Sequence, residues 1–222
     1  MIAVLIADDL PLQRLGFRML LESQDDMTVV GEAAGGSEAV RMTAELGPDV
    51  VLMDVRMPGL DGVEATRRIV ASGGPSRVLI LTTFDLDEYA FAGLRAGASG
   101  FLVKDAQPGD LLSGIRAVAD GNAVVAPSLT RRLLDLYAHR FPVTGPDREP
   151  EPRLRSLTER ERGVLLCIGQ GYSNSEIAER LVLAESTVKT HVGRVLAKIG
   201  ARDRVQAVIF AYDTGLVTPE TR

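Results

Sequence analysis

The sequence predicts an α/β doubly wound five-stranded parallel sheet, followed by a small all-helical domain. Three observations predict it. The first 120 residues alternate short apolar runs with stretches of helical spacing five times, the pattern of a parallel sheet with helices on both faces. A segment with four prolines and mixed charge, PVTGPDREPEPR (142–153), breaks that pattern. From Leu157 onward the apolar spacing is helical only. A chain of 222 residues accommodates two domains at roughly 100–200 residues each. The boundaries read as 1–121 for the sheet domain, 122–156 for a linker and 157–222 for the helical domain.

The strands are IAVLIA (2–7), MTVVGEA (27–33), DVVLMD (49–54), RVLILT (77–82) and GFLVK (100–104). Runs this apolar suit strands covered on both faces. Between them, Leu12–Ser23 places Leu15, Met19 and Leu20 on one helical face. Ser37–Leu46 opens on a serine suited to capping and carries Ala39, Val40, Thr43 and Leu46. Val63–Ser72, Asp87–Ala96 and Pro108–Asp120 repeat the spacing. SLTRRLLDLYAHR (128–140) predicts one more helix, with Leu129, Leu133, Leu136 and Tyr137 as its stripe. The proline-rich segment after it favours extended backbone and reads as a flexible interdomain linker.

In the second domain, Thr158 and Glu161 form a capping-box signature with Leu157 as a staple, predicting a helix to about Gln170. Ser173 or Asn174 caps a short helix to Leu181. A turn at Leu183–Ala184 leads to a helix over Glu185–Ile199, which Gly200 stops. Asp203 opens the last, to about Thr214.

Charge separates the two halves. The net charge is −5, yet residues 1–126 carry −8, whereas Ser186–Arg204 holds Lys189, Arg194, Lys198, Arg202 and Arg204 against Asp203 alone. An acidic front and a locally basic back imply different partners. The start MIAVLIADD lacks the basic region of a signal peptide, and no apolar run nears the roughly 18 residues of a membrane span. The expectation is a cytoplasmic protein without a membrane partner. Cys167, the single cysteine, lies in an apolar stretch and reads as a small buried hydrophobe.

Chemistry concentrates at the carboxyl edge of the sheet, where ligands of such sheets bind. Asp8 and Asp9 follow the first strand, Asp54 ends the third, Thr82 the fourth and Lys104 the fifth. Converging carboxylates need a cation, and hard oxygen donors suit Mg²⁺. A carboxylate nucleophile, a metal, a hydroxyl and a fixed ammonium are the parts for accepting a phosphoryl group, with Asp54 forming an acyl phosphate. Taken singly, an aspartate at a strand end is an ordinary turn or cap residue; the joint placement carries the reading. Pro58, Gly59 and Gly62 let the following loop wrap closely around the edge. The chain uses 22 arginines and only three lysines, and one of the three stands at that strand end.

These residues, with LMDVRMPGLDG and RAGASGFLVKD, resemble the receiver domain of bacterial two-component response regulators over residues 1–121. The resemblance implies a flavodoxin-like fold, a metal held by Asp8, Asp9, Asp54 and the backbone carbonyl of Arg56, and phosphorylation of Asp54 by a sensor histidine kinase. It also implies a phosphate-binding Lys104 and a switch formed by Thr82 and Phe101. Asp105 stands where many receivers have proline. Arg56 and Phe84 occupy variable positions that influence dephosphorylation in the family.

SNSEIAERLVLAESTVKTHVGRVLAKIG (173–200) reads as helix, turn, helix. Val188, Val192, Val195 and Ile199 face inward, leaving Ser186, Thr187, Lys189, Thr190, Arg194 and Lys198 outward. Hydroxyls and spaced cations suit a helix in the major groove of double-stranded DNA. The competing reading is a helical interaction domain with a solvated basic face. Gly193 is costly in a helix interior; it permits close backbone approach to DNA or is simple drift. His191, with no ligand partner nearby in the sequence, reads as a packing or phosphate-adjacent residue rather than a metal ligand. The apolar stripe Val205, Val208, Ile209 and Tyr212 serves either pairing or the core. Residues 157–217 resemble the LuxR-type helix-turn-helix. Together with the receiver they indicate the NarL/FixJ subfamily: a transcription regulator, not an enzyme, expected to form a homodimer when phosphorylated. Two rivals are an aspartyl-phosphate hydrolase, which the short loops leave without a substrate site, and a DNA-binding module indifferent to phosphorylation.

Overall fold

A computed structural model describes residues 1–82, 89–121 and 151–217. The predicted helix 128–140, the linker residues 142–150 and Phe84 lie outside the described residues. The chain divides into two compact units, Met1–Val124 and Val125–Arg222, and each is described by itself.

The first unit is the predicted doubly wound α/β domain. Strands β1 (Ile2–Ala7), β2 (Met27–Ala33), β3 (Val50–Asp54), β4 (Arg77–Thr82) and β5 (Gly100–Val103) pair in parallel in the order β2-β1-β3-β4-β5. Helices α1 (Pro11–Glu22), α2 (Gly36–Leu46), α3 (Gly62–Ala71), α4 (Tyr89–Arg95) and α5 (Pro108–Ala119) connect them. All five residues of β3 are buried, as an unbroken apolar run in a sheet covered on both faces requires. Val4, Ile6, Leu52, Leu79, Leu81, Phe17, Leu21 and Ile115 belong to one apolar cluster. The strand order reverses between β1 and β3, which opens the crevice beyond their carboxyl ends.

Two helices differ from the sequence reading. In α1 the buried residues are Phe17 and Leu21, whereas Leu15 and Met19 are exposed and only Leu20 of the expected stripe packs partly inward. With Phe17 and Leu21 in the core, Arg14 and Arg18 both reach Glu32 on β2, at 3.2 and 2.5 Å, and Leu12, Leu15 and Met19 stay exposed. Helix α2 begins at Gly36 with Gly35 as its N-cap residue, so Ser37 lies inside the helix and does not cap it. Gly36 is required there: a Cβ would stand 2.2 Å from the carbonyl oxygen of Leu60.

The second unit holds α6 (Pro152–Arg155), α7 (Glu159–Gly169), α8 (Asn174–Leu181), α9 (Glu185–Ile199) and α10 (Arg204–Asp213). The capping box of Thr158 and Glu161 forms as predicted, and a second joins Ser173 to Glu176. Asp203 caps α10 by accepting from the Gln206 amide. Residues 151–156, expected as linker, carry α6, and its Leu154 is buried. Between α8 and α9 the chain turns at Val182, a non-glycine residue at φ 52° whose side chain is exposed. The stripe Val205, Val208, Ile209 and Tyr212 is buried, with α10 packed on α7, so it belongs to the core. Among the described residues no helix is long and apolar enough to cross a membrane.

Gly62 shows how tightly the β3–α3 loop closes. Its amide donates to the Val55 carbonyl at 2.9 Å, and a Cβ there would lie 2.0 Å from the Asp54 carbonyl oxygen. Gly62→Ala is expected to destabilise the first domain by about 1–3 kcal/mol through overpacking, read as a lower urea midpoint. Gly16→Ala, where a Cβ meets nothing within 4 Å among the described residues, is the comparison and should not lower it.

Candidate phosphoacceptor site and nucleic-acid interface

Hydrophobic strands bring the acidic residues together. Register pairs Ala7 with Met53 and Asp54 with Leu81, so Asp8, Asp54 and Thr82 emerge at one edge. Asp8 and Asp54 are buried and Asp9 is half-buried. One ligand atom from each of these three carboxylates lies within 4.8 Å of the others. Lys104 follows β5, where its amide donates to the Thr82 carbonyl at 2.7 Å. Its ammonium stands 2.7 Å from Asp8 Oδ2 and 3.0 Å from Asp54 Oδ2. Thr82 is buried, and the Phe101 ring on β5 is wholly so.

Backbone donors complete the site. The Leu10 amide donates to Asp8 Oδ1 at 2.8 Å, and the Arg56 amide approaches Asp54 Oδ1 at 3.4 Å. Arg14 donates to the Asp8 carbonyl at 2.6 Å while also holding Glu32, which fixes the β1–α1 connection. The sequence pattern does not single out Arg14, because nothing in helical spacing announces a contact to a backbone carbonyl six residues away.

Burial raises the Asp54 carboxyl above its ordinary range; Lys104 opposes this by hydrogen bond and charge, and the Asp8 carboxylate adds to the rise. Three carboxylates converge, and the Lys104 ammonium pairs with two of them, Asp8 and Asp54. That excess of hard oxygen donors fits a small divalent cation, which takes one or two carboxylates and keeps its waters.

In the second unit, Ser186, Thr187, Lys189, Thr190, Gly193, Arg194 and Lys198 are exposed along α9, while Val188, Val195 and Ile199 are buried and Val192 is half-buried. The Thr190 hydroxyl donates to the Ser186 carbonyl at 3.1 Å, and Lys189 pairs loosely with Glu185 at 3.4 Å. An exposed pair of that kind holds its lysine weakly. Lys198 differs from the other cations: its ammonium lies 2.7 Å from Glu161 Oε2 and 3.2 Å from the Ser156 carbonyl. His191 is half-buried, and among the described residues its enclosed Nδ1 has no hydrogen-bond partner. Among the described residues a Cβ on Gly193 meets nothing within 4 Å, so no described neighbour requires a glycine.

Two outcomes follow. A carboxyl raised in the folded state adds stability below its unfolded value and loses it as pH rises through the folded one; ionised Asp54 therefore costs stability at neutral pH. Asp54→Asn should raise the melting temperature at pH 7, and the gain should vanish as pH falls below the ordinary aspartate range. Gly193→Ala should stabilise the helical domain by up to about 1 kcal/mol. A simultaneous loss of DNA affinity would show that the bare backbone meets DNA; unchanged affinity would show that it does not.

Comparison with known proteins agrees with this layout. Residues 4–116 match the family described as response regulator receiver domain, and residues 155–211 match bacterial regulatory proteins of the luxR family. The chain is 44% identical over 216 residues to the uncharacterized transcriptional regulatory protein YxjL of Bacillus subtilis, covering 97% of each. It is 37% identical to the transcriptional regulatory protein LiaR of the same organism, covering 98% of this chain and 100% of the relative. The response regulator protein VraR of Staphylococcus aureus is likewise 37% identical, with 97% and 99% covered. Among solved structures, the response regulator ChrA of a heme-sensing two-component system aligns at TM-score 0.52 and 37% identity, covering 97% of this chain and 98% of that one. The chain belongs to the two-component response regulators of the NarL/FixJ type, a receiver domain joined to a LuxR-type DNA-binding domain.

Proposed function

We propose that Asp54 accepts a phosphoryl group from a sensor histidine kinase and that this modification controls operator binding by α9. The observation that carries the reading is the buried Asp54 carboxylate, 3.0 Å from the Lys104 ammonium and grouped with Asp8 and Asp9. In this chemistry an Asp54 oxygen attacks the phosphorus of a phosphohistidine. The O–P bond forms as the N–P bond breaks, and the imidazole leaves. Asp8, Asp9, Asp54 and the carbonyl of Arg56 would hold Mg²⁺, which when bound neutralises the carboxylates and the incoming phosphoryl oxygens. Lys104 supplies the remaining fixed positive charge, and the buried site keeps bulk water from screening it.

The signal runs from Thr82 at the end of β4 to Phe101 on β5. Both are buried, so a rearrangement at the phosphoryl group changes packing rather than exposed side chains. The boundaries 1–121 for the receiver and 157–222 for the DNA-binding unit suit this reading once residues 151–156, which carry α6 and the buried Leu154, are counted with the DNA-binding unit rather than with the linker. Phosphorylation adds roughly −1.5 to −2 charge and favours a homodimer, which sets two helix-turn-helix units on half-sites about 10 bp apart. On the DNA, Ser186, Thr187, Lys189, Thr190 and Arg194 face the groove.

Incubation with acetyl phosphate and Mg²⁺ should phosphorylate the wild-type chain, and Asp54→Asn should abolish the modification. Asp9→Ala should remove both the Mg²⁺ dependence and most of the rate. Retention of an acid- and base-labile phosphate by Asp54→Asn would overturn the assignment. Lys189→Ala should weaken operator binding by about 1–3 kcal/mol with relaxed preference at one base, if it reads that base. If it meets phosphate instead, the loss should be uniform across sequences, with the salt slope lower by about 1.

A further inference from the structure

The cations exposed along α9 are held in two ways. Lys189 stands in solvent and pairs only loosely with Glu185, within its own helix. Lys198, near the end of α9, instead reaches across the domain. Its ammonium donates to Glu161 Oε2 at 2.7 Å and to the Ser156 carbonyl at 3.2 Å. Glu161 is only 4% exposed, and the same carboxylate oxygen also accepts from the Thr158 amide at 2.8 Å and the Thr158 hydroxyl at 3.0 Å. These contacts, Lys198 first, hold the Glu161 carboxyl down at about 2, so it is charged at neutral pH.

The same end of α9 has a second tether. Arg153, on α6, donates to the carbonyl of Ile199, the last residue of α9, at 3.1 Å. Its guanidinium carbon stands 4.8 Å from the centre of the Phe210 ring, within reach of a cation–π attraction. Residues 151–161 thus grip the C-terminal turn of α9 through charged hydrogen bonds, which are about twice as strong as neutral ones.

We infer that Lys198 is a positioning residue for DNA recognition rather than a DNA contact: with Glu161 and Arg153 it fixes the angle at which α9 presents Lys189, Thr190 and Arg194. This rests on the reading of α9 as the groove helix. The physical reason is the cost of the alternative. Moving the Lys198 ammonium to a DNA phosphate would leave the largely covered Glu161 carboxylate without its cation, held by the Thr158 amide and hydroxyl alone. Lys189 leaves only a solvated glutamate behind.

The test uses the full chain, a duplex that the wild-type chain selects from a random library, and a scrambled duplex of the same length. Affinities are measured across a salt series well below the melting temperature, with circular dichroism confirming the fold. Lys198→Met and Glu161→Gln should each weaken binding to the selected duplex by roughly tenfold. Affinity for the scrambled duplex and both salt slopes should stay as in the wild type. Lys198→Arg, which keeps the pair with Glu161, should restore the preference. Should Lys198→Met unfold, Glu161→Gln carries the test, because the variant residue has similar size and keeps an acceptor oxygen. The inference is overturned if Lys198→Met lowers the salt slope by about 1 on both duplexes while Glu161→Gln changes nothing, the signature of a phosphate contact. It is equally overturned if both variants lower only the melting temperature. Lys189→Ala separates the two readings: if it too leaves every affinity unchanged, the groove assignment of α9 fails, and with it this inference.

Discussion

The receiver is organised around a single electrostatic demand: two carboxylates, Asp8 and Asp54, are buried side by side at the reversal of strand order. Like charges so placed repel strongly where water is scarce. Lys104 relieves part of that repulsion by bonding to both. Its position depends on β5 pairing with β4 in the right register, since the Lys104 amide is tied to the Thr82 carbonyl. The placement of Asp54 depends in turn on the wholly buried β3. Hydrophobic pairing of the strands therefore supplies the free energy that holds a destabilised polar cluster together. Functional sites commonly concentrate such conflicts.

The helical domain meets a different demand, since its useful face must stay bare. Its core is made by Val164, Leu165, Ile168, Val188, Val195, Ile199 and the inward residues of α10. Charged hydrogen bonds then work at the ends of helices. Arg160 donates to the Leu181 carbonyl at the end of α8, and Arg153 to the Ile199 carbonyl at the end of α9. Cations at helix C-termini satisfy carbonyls that lack intrahelical partners and complement the helix dipole. The non-glycine residue Val182 in the left-handed region shows that helix packing, more than turn propensity, sets the α8–α9 corner.

Much of this was legible in the sequence for physical reasons. Buried strands must be apolar, so the five strands and their order of appearance could be read, and so could the acidic residues that end them. Capping boxes are local, and Thr158–Glu161 was readable for that reason. The face of α1 was not, because Leu12, Leu15, Met19 and Leu20 offer as good a stripe as Phe17, Leu20 and Leu21. The choice is made by what the helix meets on the sheet, where Phe17 and Leu21 join the core and Arg14 and Arg18 reach Glu32 on another element. The division of α9 cations into Lys189 and Lys198 was hidden for the same reason, since Glu161 lies 37 residues from Lys198. Residues 151–156 read as linker because proline and charge dominate there, yet buried Leu154 and the reach of Arg153 attach them to the helical domain.

The closed surroundings of Asp54 bear on a common laboratory substitution. Only 5% of the residue is exposed, and its carboxylate already touches Lys104. A glutamate there lengthens the side chain by a methylene and supplies one negative charge on a planar group. A phosphoryl group is tetrahedral, carries up to nearly two charges and presents three acceptor oxygens. Chemical mimicry at this position therefore reproduces neither the shape nor the charge of the modified state.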